Sequence, residues 1–125
     1  MIVEFNIDIY ECSVTFAWDT SEHELTSFCD KKGISEEYRK QILENYNKTN
    51  VIGFVTLVSE DNPICIFPIE PTPGTVAHEI YHICYKIMTS RNIQDEEAWA
   101  YLIGYITKTY YEIREEKAHG EETDL

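Results

Sequence analysis

An α+β fold, with a small antiparallel or mixed sheet of three to four strands and about four helices, follows from three observations on this 125-residue chain. Apolar and β-branched runs cover Met1 to Trp18, Val51 to Val58 and Ile64 to Ile69, as strands require. Two serines, Ser21 and Ser35, stand where N-caps open short amphipathic helices. Two longer stretches, Val76 to Met88 and about Ile93 to Lys117, hold no proline and read as helices. With 43% hydrophobic residues the chain is long enough for one modest core. A single domain is expected over 1–117, followed by an acidic, disordered tail at 118–125.

Met1 to Trp18 alternates, but its phase changes. Val3, Phe5, Ile7 and Ile9 are apolar at odd positions, and Tyr10, Cys12, Val14, Phe16 and Trp18 at even ones. Either a bulge or a strand break therefore lies near Tyr10 to Cys12, and one long bulged strand is expected because no Gly, Pro or Asn marks a turn. Ser21-x-x-Glu24 is a capping box for a helix that turns Leu25, Phe28 and Cys29 inward and stops at Gly33. Ser35 caps the next, carrying Tyr38, Ile42, Leu43 and Tyr46. Residues 59–63, S-E-D-N-P, join the next two strands as a hairpin, and Pro68 marks the second as an edge strand.

Thr75 is the expected N-cap of a helix that is apolar nearly all round and therefore buried. It carries His78-Glu79-Ile80-Tyr81-His82. Residues four apart share a helix face, so both imidazoles can reach one metal ion, and zinc (Zn2+) suits such ligands. Glu79, about 100° round the helix, stands beside the ion, where a carboxylate can act as general base. Two core histidines hydrogen-bonded to neighbours would be the bland alternative.

A catalytic zinc site needs a third protein ligand and an open position for water. Asn92 is read as the N-cap of the last helix, which carries Asp95, Glu96 and Glu97 in its first turns. Asp95 shares a stripe with Ala98, Trp99, Leu102 and Ile106 that should enter the core. Glu97 falls with Ala100 and Gly104, where small residues would admit another helix. Glu97 is the first choice as ligand and Glu96 the second. Tyr85, Tyr101 and Tyr105 are candidate oxyanion donors or partners of the ligands.

His78, Glu79 and His82, with Glu97 from a following helix, resemble the zincin metallopeptidases of the glutamate-ligand type, the gluzincins. Glu97 stands three residues before Ala100, as in several such families. The metzincin pattern would need glycine at Tyr85 and histidine at Met88, and the thermolysin-type continuation an aspartate at Tyr101. The resemblance spans Gly74 to Tyr105 and is nearest in character to very small "minimal zincin" proteins, some carried by bacteria and phages. It implies a zincin-like fold with the metal between two antiparallel core helices, and peptide hydrolysis by zinc-activated water. It also implies a peptide or protein substrate lying along the strand before the metal helix, here Ile64 to Glu70.

The net charge of −13 disfavours nucleic acid and favours a cationic partner. No basic segment leads into an apolar stretch and no run of 18 apolar residues occurs, so neither export nor membrane insertion is expected, and a cytoplasmic location is. Cys12, Cys29, Cys65 and Cys84 lack paired spacing and read as reduced, buried thiols. A zincin-shaped interaction protein with an acidic surface is the rival function, and a purely structural zinc is a third.

Overall fold

The computed structural model describes residues 1–48, 50–57 and 61–123, except for the side chains of 120–123. Its elements are β1 (Ile2–Ile7), β2 (Cys12–Trp18), α1 (Glu22–Lys31), α2 (Glu36–Tyr46), β3 (Phe54–Leu57), β4 (Pro63–Phe67), α3 (Pro73–Ser90) and α4 (Glu96–Thr123). The strands form one mixed sheet in the order β1-β2-β4-β3, in which β2 and β4 are parallel and the other pairs antiparallel. The α+β class and the small sheet are as the patterning predicts.

The phase reversal near Tyr10 is a strand break, not a bulge. Residues Asp8–Tyr10 form a 3-10 turn, Glu11 takes the left-handed conformation at φ 49°, and its N–H donates to Asp8 O at 3.1 Å. The pairing explains the reversal: Val3 faces Phe16, Phe5 faces Val14 and Ile7 faces Cys12. Odd positions of β1 thus share a sheet face with even positions of β2, so one apolar face needs both phases. A bulged single strand would have left β2 without a neighbour on this side.

Helices cover both faces of the sheet. Val14, Phe16, Trp18, Cys65 and Phe67 pack with Ile80, Ile83, Ile87, Leu102, Ile106 and Tyr110 of α3 and α4. Ala17, Ile64 and Ile66 point the other way, onto Leu25, Cys29, Ile34 and Ile42 around α1 and α2. Such two-sided burial explains why β4 reads as an unbroken apolar run, all five of its residues being buried. It also corrects the edge-strand expectation. β4 lies inside the sheet, hydrogen-bonded to β2 and β3, and Pro68 stands just past its end, where it removes no ladder donor. The edges are β1 and β3. Val58, Ser59 and Glu60, part of the expected strand and turn, lie outside the described residues.

The local start signals behave as expected in α1 and α2. Ser21 Oγ accepts from Glu24 N while the Glu24 carboxylate accepts from Ser21 N, and Ser35 Oγ accepts from Tyr38 N. The two later helices begin differently. Thr72 caps α3, accepting from Thr75 N at 3.2 Å, and Pro73 occupies the first helical position, where a missing N–H costs nothing. Asn92 does not open α4 but closes α3: it is left-handed at φ 53°, its N–H donates to Thr89 O and that of Ile93 to Met88 O. This is the double hydrogen bond of a Schellman C-terminus. Asp95 is the residue that caps α4, accepting from Glu97 N at 3.0 Å. The helix continues to Thr123 instead of ending near Lys117, and residues 124 and 125 of the expected tail lie outside the described residues. No described helix is long and apolar enough to cross a membrane.

Candidate metal centre

The α3 helix buries one side and exposes the other. Val76, Ile80, Ile83, Cys84, Ile87 and Met88 are sealed against the sheet and α4, whereas His78, Tyr81, His82 and Tyr85 face solvent. The expectation of a helix buried all round is therefore corrected, because its tyrosines take the outer face. Burial of the histidines cannot be the reason for a metal here. The pressure for compensation falls on Glu79 alone, which is 5% exposed.

On that outer face the one-turn spacing brings His78 Nε2 and His82 Nε2 to 3.1 Å, with the rings nearly perpendicular. Two imidazoles on one tetrahedral zinc, each at about 2.0–2.1 Å, would hold their nitrogens about 3.3 Å apart, so 3.1 Å corresponds to an angle of about 100° at the ion. The donor set and its spacing fit a divalent cation. A single N–H shared between the two rings accounts for the same separation when no cation is bound. Glu79 Oε1 lies 3.7 Å from His78 Nε2, and the ligand atoms of His78, Glu79 and His82 all fall within 4.8 Å of one another. Among the described residues this is the one group of three or more such side chains close enough to hold an ion.

Glu79 packs against a glycine. A Cβ on Gly53, just before β3, would lie 3.2 Å from Glu79 Cγ and 3.0 Å from the Phe67 ring. A side chain there would need Phe67 and Glu79 to give way by a few tenths of an ångström. Removal from water raises the Glu79 carboxyl above its ordinary pKa, and the charges of His78 and His82 oppose that rise. Gly53 is a residue that sequence reasoning passed over, although an isolated glycine at the start of a strand is the usual sign of close approach.

The structure does not bring Glu97 to the histidines, nor Glu96. Both are exposed and neither joins the group. The reason is the rotation of α4, set by the buried Leu102, Ile106 and Tyr110 and, at its first turns, by Trp99. Its indole packs on the rings of Tyr81 and Tyr85 at 6.3 and 6.2 Å, and its Nε1–H donates to Ile93 O at 2.8 Å. Glu97, two residues earlier, is then turned about 160° away from this contact. Glu96 is turned only about 60° away, but it borders a hollow with Thr89 and Asn92, beyond the histidines along α3. Ala100 and Gly104 face solvent, and Gly104 meets nothing that a Cβ would touch. The expected helix approach on that side is absent, whereas the stripe of Ala98, Trp99, Leu102 and Ile106 does enter the core.

Of the candidate tyrosines, Tyr85 lies on the histidine side, its ring 6.3 Å from that of Tyr81. Tyr101 and Tyr105 do not: both line a separate hollow with Ile9 and Tyr10, and Tyr105 sets its ring edge-on to Phe5. The tyrosine next to the pair is Tyr81, 6.2 Å ring to ring from His82. All four cysteines are free and buried.

The chain matches no family model, no curated protein and no solved structure. Fold and site define a class and no more: a small α+β domain whose third helix carries a His-Glu-His cluster with metal-ligand spacing.

Proposed function

We propose that the protein is a zinc-dependent peptide or amide hydrolase of minimal-zincin type. The observation that carries this is the 3.1 Å approach of two imidazole nitrogens with a buried, proton-avid carboxylate at 3.7 Å from one of them. His78 and His82 would hold the ion, which supplies a Lewis acid that acidifies water and polarises a carbonyl. Glu79 would receive the proton lost by the attacking water and pass it to the leaving amine. Its raised proton affinity suits it to both steps, since a base that binds protons weakly gains little from taking one. A peptide would run in extended form beside α3. The free edge of the sheet near this helix is β3, so β3 replaces the strand at Ile64 to Glu70 as the place where a substrate backbone could pair.

Glu97, the expected third ligand, faces away while Trp99 holds the first turns of α4, so His78 and His82 stand as the proposed ligands and Glu79 as the base. Glu79→Gln tests the whole reading: the variant should retain zinc near one equivalent while hydrolysis of a peptide library falls by about a hundredfold or more. Loss of zinc in that variant would make Glu79 a ligand instead of the base. Loss of neither would remove Glu79 as the base, and absence of hydrolysis in the zinc-loaded parent would remove the enzyme reading.

One observation favours a second reading. With Glu97 facing away, α4 supplies no carboxylate to the pair, one ligand short of the three that catalytic zinc sites keep. A zincin-shaped interaction protein, whose acidic surface meets a cationic partner, needs no such ligand. Biological effect that survives Glu79→Gln would support it.

A further inference from the structure

Beyond the C-terminal end of the histidine face, α3 and α4 enclose a hollow of about 410 Å³ lined by Thr89, Asn92, Ile93, Gln94, Glu96 and Trp99. Its aromatic lining residue is Trp99, and that ring is held from two directions, by the Nε1–H bond to Ile93 O and by the rings of Tyr81 and Tyr85. Glu96 supplies the charge on the rim. Arg91, adjacent to Asn92 in the chain, is turned away: its guanidinium donates to Tyr10 O and pairs with Asp61 at 2.8 Å. The C-terminal end of α3, which opens here, adds about half a negative charge. The N-terminal end of α4 adds about half a positive one, but Asp95, Glu96 and Glu97 outweigh it.

We propose that this hollow is a subsite for a basic side chain, arginine above all, of a peptide handled at the His78–His82 face. The inference rests on the peptide-hydrolase reading and names its substrate class. A flat guanidinium stacks on a fixed indole and at the same time offers N–H donors to a carboxylate on the rim, which a lysine ammonium does less well. Thr89 lies seven residues beyond His82 on the same helix face, about 10 Å along the axis. An extended peptide covers that distance in about three residues, so the basic residue would stand about three positions from the bond held at the histidines. The net charge of −13 would draw such a peptide in from a distance.

The protein has two tryptophans, and replacing the buried one, Trp18→Phe, leaves Trp99 as the only tryptophan, whose emission is read with excitation at the red edge, where the tyrosines do not absorb. A blocked alanine hexapeptide with one arginine, titrated into the zinc-free variant, should shift that emission. It should bind at least about fivefold more tightly than the same peptide with neutral citrulline. Glu96→Gln should abolish the difference, whereas Glu44→Gln, the same charge change on the distant α2, should leave it. Equal binding of the two peptides, no binding, or an equal loss in Glu44→Gln would overturn the subsite. Calorimetry on the unaltered chain with the same two peptides gives the same comparison should Trp18→Phe fail to fold. Arginine-selective binding by a protein that cleaves nothing when loaded with zinc would sink the hydrolase and keep the subsite. Cleavage indifferent to arginine would do the opposite.

Discussion

Glu79 is where local chemistry and stability oppose each other. A carboxyl whose pKa is raised in the folded state binds its proton more tightly there than in the unfolded chain, so stability is greatest at low pH and falls as pH rises through that window. Glu79→Gln has no charge to bury. Its melting temperature at neutral pH should exceed that of the parent zinc-free protein by about a few degrees, and the gap should close once the pH is below the ordinary carboxylate range. A gap that is constant with pH would refute burial as the cause. Gly53 makes the complementary case. Gly53→Ala drives a methyl into the Phe67 ring and the Glu79 stem, an overpacking that costs about 1–3 kcal/mol, read as a lower urea midpoint. Glu79 follows from the motif alone, but Gly53 matters only because β3 and α3 happen to meet there.

The α3–α4 junction decides the site at the scale of elements. A left-handed residue closes α3 and an aspartate opens α4, three residues apart. Asn92→Val should cost about 1–2 kcal/mol because a β-branched side chain resists positive φ, while Asn92→Gly should be neutral or stabilising. Asp95→Ala should cost about 1 kcal/mol through the lost cap. Denaturant unfolding of the three variants checks the assignment, since a mere surface asparagine would tolerate valine. Asn and Asp serve both helix ends, so sequence alone could not say which of Asn92 and Asp95 faced which helix. The capping box at Ser21 and Glu24 had no such ambiguity, being complete within four residues. Cys84, inside α3, has its thiol pushed up to about 12 by burial, and its neighbours on the sheet are equally sealed. At pH 8 the folded protein should react with a thiol reagent far more slowly than the urea-unfolded chain, in which all four cysteines should titrate.

Across the whole molecule, one arginine joins α4 to the sheet and to the loop before α3. Arg114 of α4 pairs with Glu70 at 2.8 Å, donates to the Tyr110 hydroxyl at 3.0 Å and lies 5.1 Å over the Trp18 ring. It thereby ties the second half of α4 to the loop that leads into α3. Arg114→Ala should cost about 1–2 kcal/mol, more than a surface ion pair would, because stacking and the Tyr110 hydrogen bond are lost with it. Zinc at a hundred times its dissociation constant should stabilise the parent by about 2.7 kcal/mol. His78→Ala and His82→Ala should each abolish that gain without lowering the metal-free melting temperature, since both histidines are exposed.

The sequence by itself determined what depends on near neighbours along the chain: the helix starts at Ser21 and Ser35, the break in phase near Tyr10, and the one-turn spacing that stacks His78 on His82. These follow from backbone geometry over four or five residues. Tertiary structure alone decided that β4 is flanked on both sides, that the histidines face water while Glu79 does not, and that Glu97 turns away from them. Each of those depends on which surface packs against which, and for α4 the buried Leu102, Ile106 and Tyr110, with Trp99 against Tyr81 and Tyr85, set the rotation of the carboxylates in the first turn.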